Sequence, residues 1–193
     1  MTPNFSWLNK RLLGFLFLFI ISLSSDIIAS GTPDAEPVLP VPKGIKNELF
    51  YLQRDPNRNT VIYELNLKNG TVDQEKPVNV YWIRYEEKGQ KQDLSSMQRR
   101  LGYGLNSKYL GKDRYELRFV SYDKLPLLLA KSESDNKYHI YARIKQKQAI
   151  LNRIFVRVTW GTLGWPKVHY AELIGTDPSS GEEIRDRIYI KQS

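Results

Sequence analysis

From about Lys46 onward, apolar and polar residues alternate, and β-branched and aromatic side chains are frequent, which is the signature of half-buried strands. Glu48–Arg54 and Thr60–Leu67 form two such runs around the loop sequence Asp55-Pro56-Asn57-Arg58-Asn59. Val61, Tyr63, Leu65 and Leu67 share one face of the second run, and Asn69-Gly70 follows as a tight turn. Val78–Tyr85 is a further strand with Trp82 at its middle. The period then changes: Leu94, Met97 and Leu101 fall on one helical stripe, with Asp93 or Ser95 able to cap it and Gly102 and Gly104 able to stop it. Beyond it come Tyr115–Tyr122, Leu125–Ala130, Tyr138–Lys145, Ile150–Trp160, Lys167–Gly175 and Ile184–Lys191, joined by short polar links. Short links favour antiparallel neighbours, because a parallel crossover needs a dozen residues or more. The expected fold is all-β, mostly an antiparallel meander of eight or nine strands with one short inserted helix. Both a barrel and a two-sheet sandwich fit that pattern.

One pair of strands carries a register argument. Even positions hold Tyr138, Ile140, Ala142, Ile144, Ile150, Ile154, Val156 and Val158; odd positions hold His139, Tyr141, Arg143, Lys145, Leu151, Arg153, Phe155 and Arg157. Burial should keep even with even, since a slip of one residue exchanges the two faces. That register calls for an odd number of loop residues, for which Gln146-Lys147-Gln148 is the natural choice. The odd face is then basic and interleaved with aromatics. As a binding face it suits an anionic or sugar-like ligand, with arginine forks for acidic groups and rings for stacking. As a solvated face it is an ordinary way to cover a sheet with long basic side chains. The candidate ligand-binding residues are Tyr141, Arg143, Arg153, Phe155 and Arg157, with Arg118 as an outer candidate.

Charge and the N-terminus narrow the setting. The 193 residues carry a net charge of +8, and the sequence pI is about 9.5. Lys10 and Arg11 precede an apolar run from Leu12 to Leu23, with small residues after it. As a helix that run reaches only ~18 Å, short of the ~30 Å hydrocarbon core, so residues 1–30 read as a signal peptide or, alternatively, an uncleaved anchor. Either way the remainder is expected outside the cytoplasm, in a periplasm or cell envelope. Pro33, Pro37, Pro40 and Pro42 make residues 31–45 an extended tether, leaving 46–191 as one β-rich domain. Export and the dispersal of basic residues along strands argue against nucleic acid as a partner; anionic polysaccharide, lipid or an envelope protein is the expected one. Membrane contact is expected only through the N-terminal segment.

The chemistry that is missing is equally informative. With no cysteine, thiol nucleophiles, disulfides and cysteine-ligated metals are excluded. No Gly-x-Ser-x-Gly elbow, His-Glu-x-x-His or phosphate loop occurs, and Gly102-Tyr103-Gly104 follows a helix rather than opening one. His139 and His169 have no second ligand at metal spacing and read as structural. Glu86-Glu87 and Glu182-Glu183 point to opposite faces of a strand, so neither pair forms an acid–base couple. No cofactor, metal site or catalytic residue is assigned. The leading expectation is a non-catalytic exported β-domain that binds an anionic or glycan ligand or an envelope partner. Two alternatives stand beside it: an envelope hydrolase whose carboxylates, among Glu64, Glu116 and Glu172, converge only in the fold, and a structural subunit recognised through Asp93–Gly102.

Glu48–Gln53, Asn59-Thr60-Val61-Ile62-Tyr63, Pro77-Val78-Asn79-Val80-Tyr81-Trp82, Tyr103-Gly104-Leu105 and the strand-rich C-terminal half resemble an uncharacterised family of exported bacterial proteins. This is the domain of unknown function numbered 4833, found mainly in Bacteroidota, and the resemblance covers about Lys46 to Ile190. It implies a bacterial envelope protein. It brings no activity, ligand or catalytic residue with it.

Overall fold

The computed structural model describes residues 38–160 and 166–189. The expected signal segment, the first part of the expected tether, the 161–165 link and the last expected strand residues lie outside the described residues. Among the described residues there are thirteen strands: β1 (Glu48–Arg54), β2 (Thr60–Leu65), β3 (Leu67–Lys68), β4 (Thr71–Val72), β5 (Val78–Arg84), β6 (Gln90–Asp93), β7 (Leu105–Gly111), β8 (Arg114–Phe119), β9 (Leu127–Lys131), β10 (Tyr138–Ile144), β11 (Lys147–Trp160), β12 (Pro166–Thr176) and β13 (Glu183–Tyr189). Eleven of them form one sheet; β3 and β4 make a small hairpin through Asn69-Gly70, where both residues hold positive φ as that turn requires. The protein is an all-β fold built as a curled half-barrel with one short helical segment.

β11 is the strand on which the two walls meet. Its first residues pair with β10, its middle pairs with β1, and its opposite edge pairs with β12 along most of its length. One wall runs β6-β5-β2-β1-β11 and the other β7-β8-β9-β10-β11, with β12 and β13 extending the sheet from the shared strand. The β1–β11 pairing is parallel, the exception to the antiparallel rule. The two strands are almost a hundred residues apart, so no short crossover is involved. The walls close on an aromatic clasp. Phe50 of β1 and Tyr63 of β2 stack at 4.2 Å, and Phe119 of the other wall meets their edges at 6.3 and 5.7 Å. Trp82 packs edge-on against Tyr103 at 5.0 Å. Such pairs add to the burial of large rings and orient one wall against the other.

The expected register is corrected at the β10–β11 turn. Ala142 faces Ala149 and Tyr141 faces Ile150, so even pairs with odd. The turn is Lys145-Gln146, two residues both at positive φ, which is the primed two-residue geometry matched to strand twist. Leu151 therefore lies in the core and not on the basic face. A bulge at Asn152, between Leu151 and Arg153, then restores the expected parity: Ile154, Val156 and Val158 point inward, and Arg153, Phe155 and Arg157 outward. One extra residue exchanges the faces of everything that follows.

The expected helix is much shorter than its stripe. Ser95 caps a single α-helical turn, Ser96–Gln98, through a reciprocal capping box with Gln98. A π-helical turn, Arg99–Tyr103, continues it. Gly104 ends that turn by donating to the Arg99 carbonyl at 3.0 Å, so close that a Cβ there would lie 2.1 Å from the same oxygen. No side chain fits at Gly104. From residue 38 the proline-rich stretch lies on the domain: Gln53 Nε2 donates to the Pro40 carbonyl at 2.7 Å, and Pro42 is buried.

Candidate functional site

The outward face of the curled sheet divides into two regions. In the first, cross-strand partners form rows over β1, β11, β12 and β13: Tyr51, Arg153, Ile174 and Arg185 in one, and Gln53, Phe155, Glu172 and Arg187 in the next. Arg157 faces Tyr170, and Tyr170 faces Tyr189. Opposite charges neutralise much of this surface. Arg157 Nη1 lies 2.7 Å from Asp55 Oδ2, both side chains being largely covered. Glu172, buried, accepts from Arg187 Nε at 2.7 Å and has Arg185 at 3.8 Å. The Arg187 guanidinium stacks over the Tyr170 ring at 4.5 Å, and the hydrogen bond it donates to Glu172 pushes its proton affinity above the usual arginine range.

Phe155 needs a correction. Placed by sequence on a contact face, it does point outward, yet it is 0% exposed. Its row neighbours Gln53 and Glu172 are themselves buried, and Gln53 is tied to Pro40. Arg153 and Tyr170 flank the ring, with the Arg153 guanidinium 5.4 Å from its centroid. Phe155 is an anchor of the outer layer and touches no ligand from there.

The second region lies over β8, β9 and β10. There the sheet and the β7 residue Leu110 bound a hollow of about 320 Å³ lined by Glu116, Pro126, Leu128, Tyr141, Arg143 and Gln148, among others. Register explains the grouping: Tyr141 lies opposite Leu128, Leu128 opposite Glu116, and Arg143 opposite Gln148. Arg143 is exposed and Tyr141 half-buried. Arg118 joins at the margin, where its Nε donates to Glu116 Oε1 at 2.8 Å and its Nη1 to the Asp123 carbonyl at 2.6 Å. The same bond from Arg118 holds the Glu116 carboxyl below its ordinary range, so this carboxylate stays charged. Two guanidinium groups against one carboxylate leave the hollow with excess positive charge, and Tyr141 supplies a ring beside an apolar floor. Of the six candidate residues, Tyr141 and Arg143 line this hollow and Arg118 stands beside it through its bond to Glu116, while Arg153, Phe155 and Arg157 belong to the first region.

A family profile described as a domain of unknown function (DUF4833) matches residues 50–187, nearly three quarters of the chain. The chain belongs to the DUF4833 family. No curated protein and no solved structure matches it.

In this DUF4833 domain the carboxylates considered for hydrolysis lie on three strands that do not neighbour one another: Glu64 on β2, Glu116 on β8 and Glu172 on β12. Each has a cation within 4 Å: Lys91 at 3.9 Å, Arg118 and Arg187 respectively. Glu64 does face another carboxylate, Glu48, across β1 and β2. Next to them Tyr81 lies under the Lys91 ammonium at 3.7 Å, and burial together with the Glu64 charge pushes its hydroxyl up to about 12. That places a neutral phenol, not a base, beside Glu64. Glu86 accepts from Asn59 Nδ2, and Glu87 pairs with Arg84. His139 bonds Asp135 at 2.8 Å and His169 bonds Thr159 at 2.6 Å. Among the described residues no three His, Asp or Glu gather at metal-binding spacing, and no helix is long and apolar enough to cross a membrane.

Sequence reasoning missed Glu116, Leu128 and Gln148 as partners of Tyr141 and Arg143. The only available signal was alternation on β8 and β9, whose outward positions could be read but whose order in the sheet could not.

Proposed function

We propose that this DUF4833 domain is a non-catalytic, exported binding module that takes an acidic glycan in the hollow over β8–β10. The observation that carries the reading is the convergence of Arg143, Tyr141, Gln148 and the Arg118–Glu116 pair around a concavity of about 320 Å³, the scale of a small-ligand site. Arg143 offers a planar fork to a sugar carboxylate or sulfate, and Tyr141 a flat face to a pyranose ring. Gln148 and Glu116 can bond hydroxyl groups in both directions. Positive charge near the hollow favours encounter with an anionic polymer. An envelope location is supported by the basic-then-apolar N-terminal pattern.

The test is retention on immobilised polygalacturonate, read as the salt concentration of elution. Arg143→Glu and Tyr141→Ala should each abolish retention while the unfolding midpoint stays close to wild type. Retention unchanged in Arg143→Glu, with the fold intact, would end this reading.

A further inference from the structure

The hollow over β8–β10 has a long axis. Its lining comes from five neighbouring strands, from Leu110 on β7 through Glu116, Leu128 and Arg143 to Gln148 on β11. Adjacent strands lie ~4.8 Å apart, so four steps carry the lining over roughly 19 Å across the sheet. A volume of about 320 Å³ spread over that span is a shallow trough, and a single sugar ring would fill only part of it.

Charge is distributed along the trough. At the β10–β11 end stands Arg143, exposed and opposite Gln148. At the β7–β8 end Lys108 lies opposite Glu116, and Arg118 follows two residues further along β8, on the same face. Continuing the β8–β9 and β9–β10 registers brings both Arg118 and Arg143 opposite Pro126, which itself lines the trough. The two arginines therefore share one row and stand two strands apart, about 10 Å between their backbones. The floor between them, Pro126 and Leu128, is apolar. Arg118 spends Nε on Glu116 and Nη1 on the Asp123 carbonyl, which fixes its side chain and leaves the Nη2 donors of the guanidinium for a ligand. A side chain already ordered in this way loses little freedom on binding.

Resting on the acidic-glycan reading of this same hollow, we infer that the trough takes at least three consecutive sugars of a linear acidic chain laid across the strands, the acid groups of the first and third held by Arg143 and Arg118. In an extended chain whose rings are turned over one after another, groups on one edge recur at every second ring. Alternate acids then meet the two arginines, and the acid between them points away from the sheet. Tyr141, opposite Leu128, carries the first ring, and Glu116 accepts from hydroxyl groups of the third.

The experiment displaces the full chain from immobilised polygalacturonate with galacturonate and with its linear dimer, trimer and tetramer. The trimer should displace about tenfold more strongly than the dimer, the scale of one added charge-assisted hydrogen bond, and the steps on either side should be smaller. Arg118→Gln should remove the trimer's advantage over the dimer. A monomer or dimer as effective as the trimer, with the polymer still retained through Arg143, overturns the inference and leaves the glycan reading standing. A trimer advantage that survives in folded Arg118→Gln does the same. Should that variant not fold, the length series on the wild-type chain decides alone, and an even rise from one ring to four overturns the inference. A wild-type chain that the polymer does not retain overturns both.

Discussion

The outward face over β11–β13 and the outward face over β8–β10 are built from the same residue types, arginine, tyrosine and glutamate, yet differ in how their charges are spent. Over β11–β13, Arg157 is held by Asp55 and Arg187 by Glu172, and Phe155 is sealed under its row. Over β8–β10, Arg143 stands exposed at the rim of a concavity, with only the Arg118–Glu116 pair closed on itself. A basic face read from sequence is thus two surfaces: one is an outer layer of the fold, the other is open to solvent. Composition cannot separate them; counter-ion placement does.

Mutation can sharpen that contrast. The largest effect is expected at Phe155→Ala, which empties a fully buried ring site and should cost about 3–5 kcal/mol, measured as a shift of the urea unfolding midpoint at constant slope. A loss near zero would mean the ring is solvated and the sealed region is open after all. Next is Glu172→Gln. The carboxylate is buried beneath two arginines that remain partly exposed, so their stranding should cost about 2–3 kcal/mol, less than a fully enclosed pair. Arg143→Glu, by comparison, should stay within about 0.5 kcal/mol of wild type, as surface changes do.

The smallest effect concerns Glu48, opposite Glu64 on the neighbouring strand. Burial raises its carboxyl above the ordinary value, so the folded chain holds that proton more tightly than the unfolded chain. The resulting stability is present below the unfolded carboxyl range and is lost as pH rises through the raised folded value. Glu48→Gln should therefore gain on wild type at about pH 7 relative to about pH 4, compared by urea midpoints. An equal difference at both pH values would contradict the burial argument.

Much of the fold could be read directly. Where strands bury one face and leave the other more open, as in β8 and β10, alternation located them to within a few residues. The family resemblance over Lys46–Ile190 is matched by the profile over residues 50–187. β6 and β7 were missed because neither has that contrast: all four residues of β6 and five of the seven in β7 are exposed, as befits the two edges of the sheet path. The β10–β11 turn was misjudged because Lys145-Gln146 lacks the Asn or Gly that usually marks two residues at positive φ. The site was only half legible. Tyr141 and Arg143 sit on one strand and advertise themselves, whereas Glu116, Leu128 and Gln148 reach them only through strand order. The length of the trough left no local trace, since it is assembled from residues between 110 and 148 on five strands.

The bulge at Asn152 has a mechanical corollary. Because β11 exchanges β10 for β1 near that residue, it is a spine common to both walls, and the extra residue keeps each wall's greasy side turned toward the other. Shortening the spine by that residue would turn one wall inside out relative to its neighbour, whereas trimming a peripheral hairpin such as the one at Asn69-Gly70 would be felt only where it occurs.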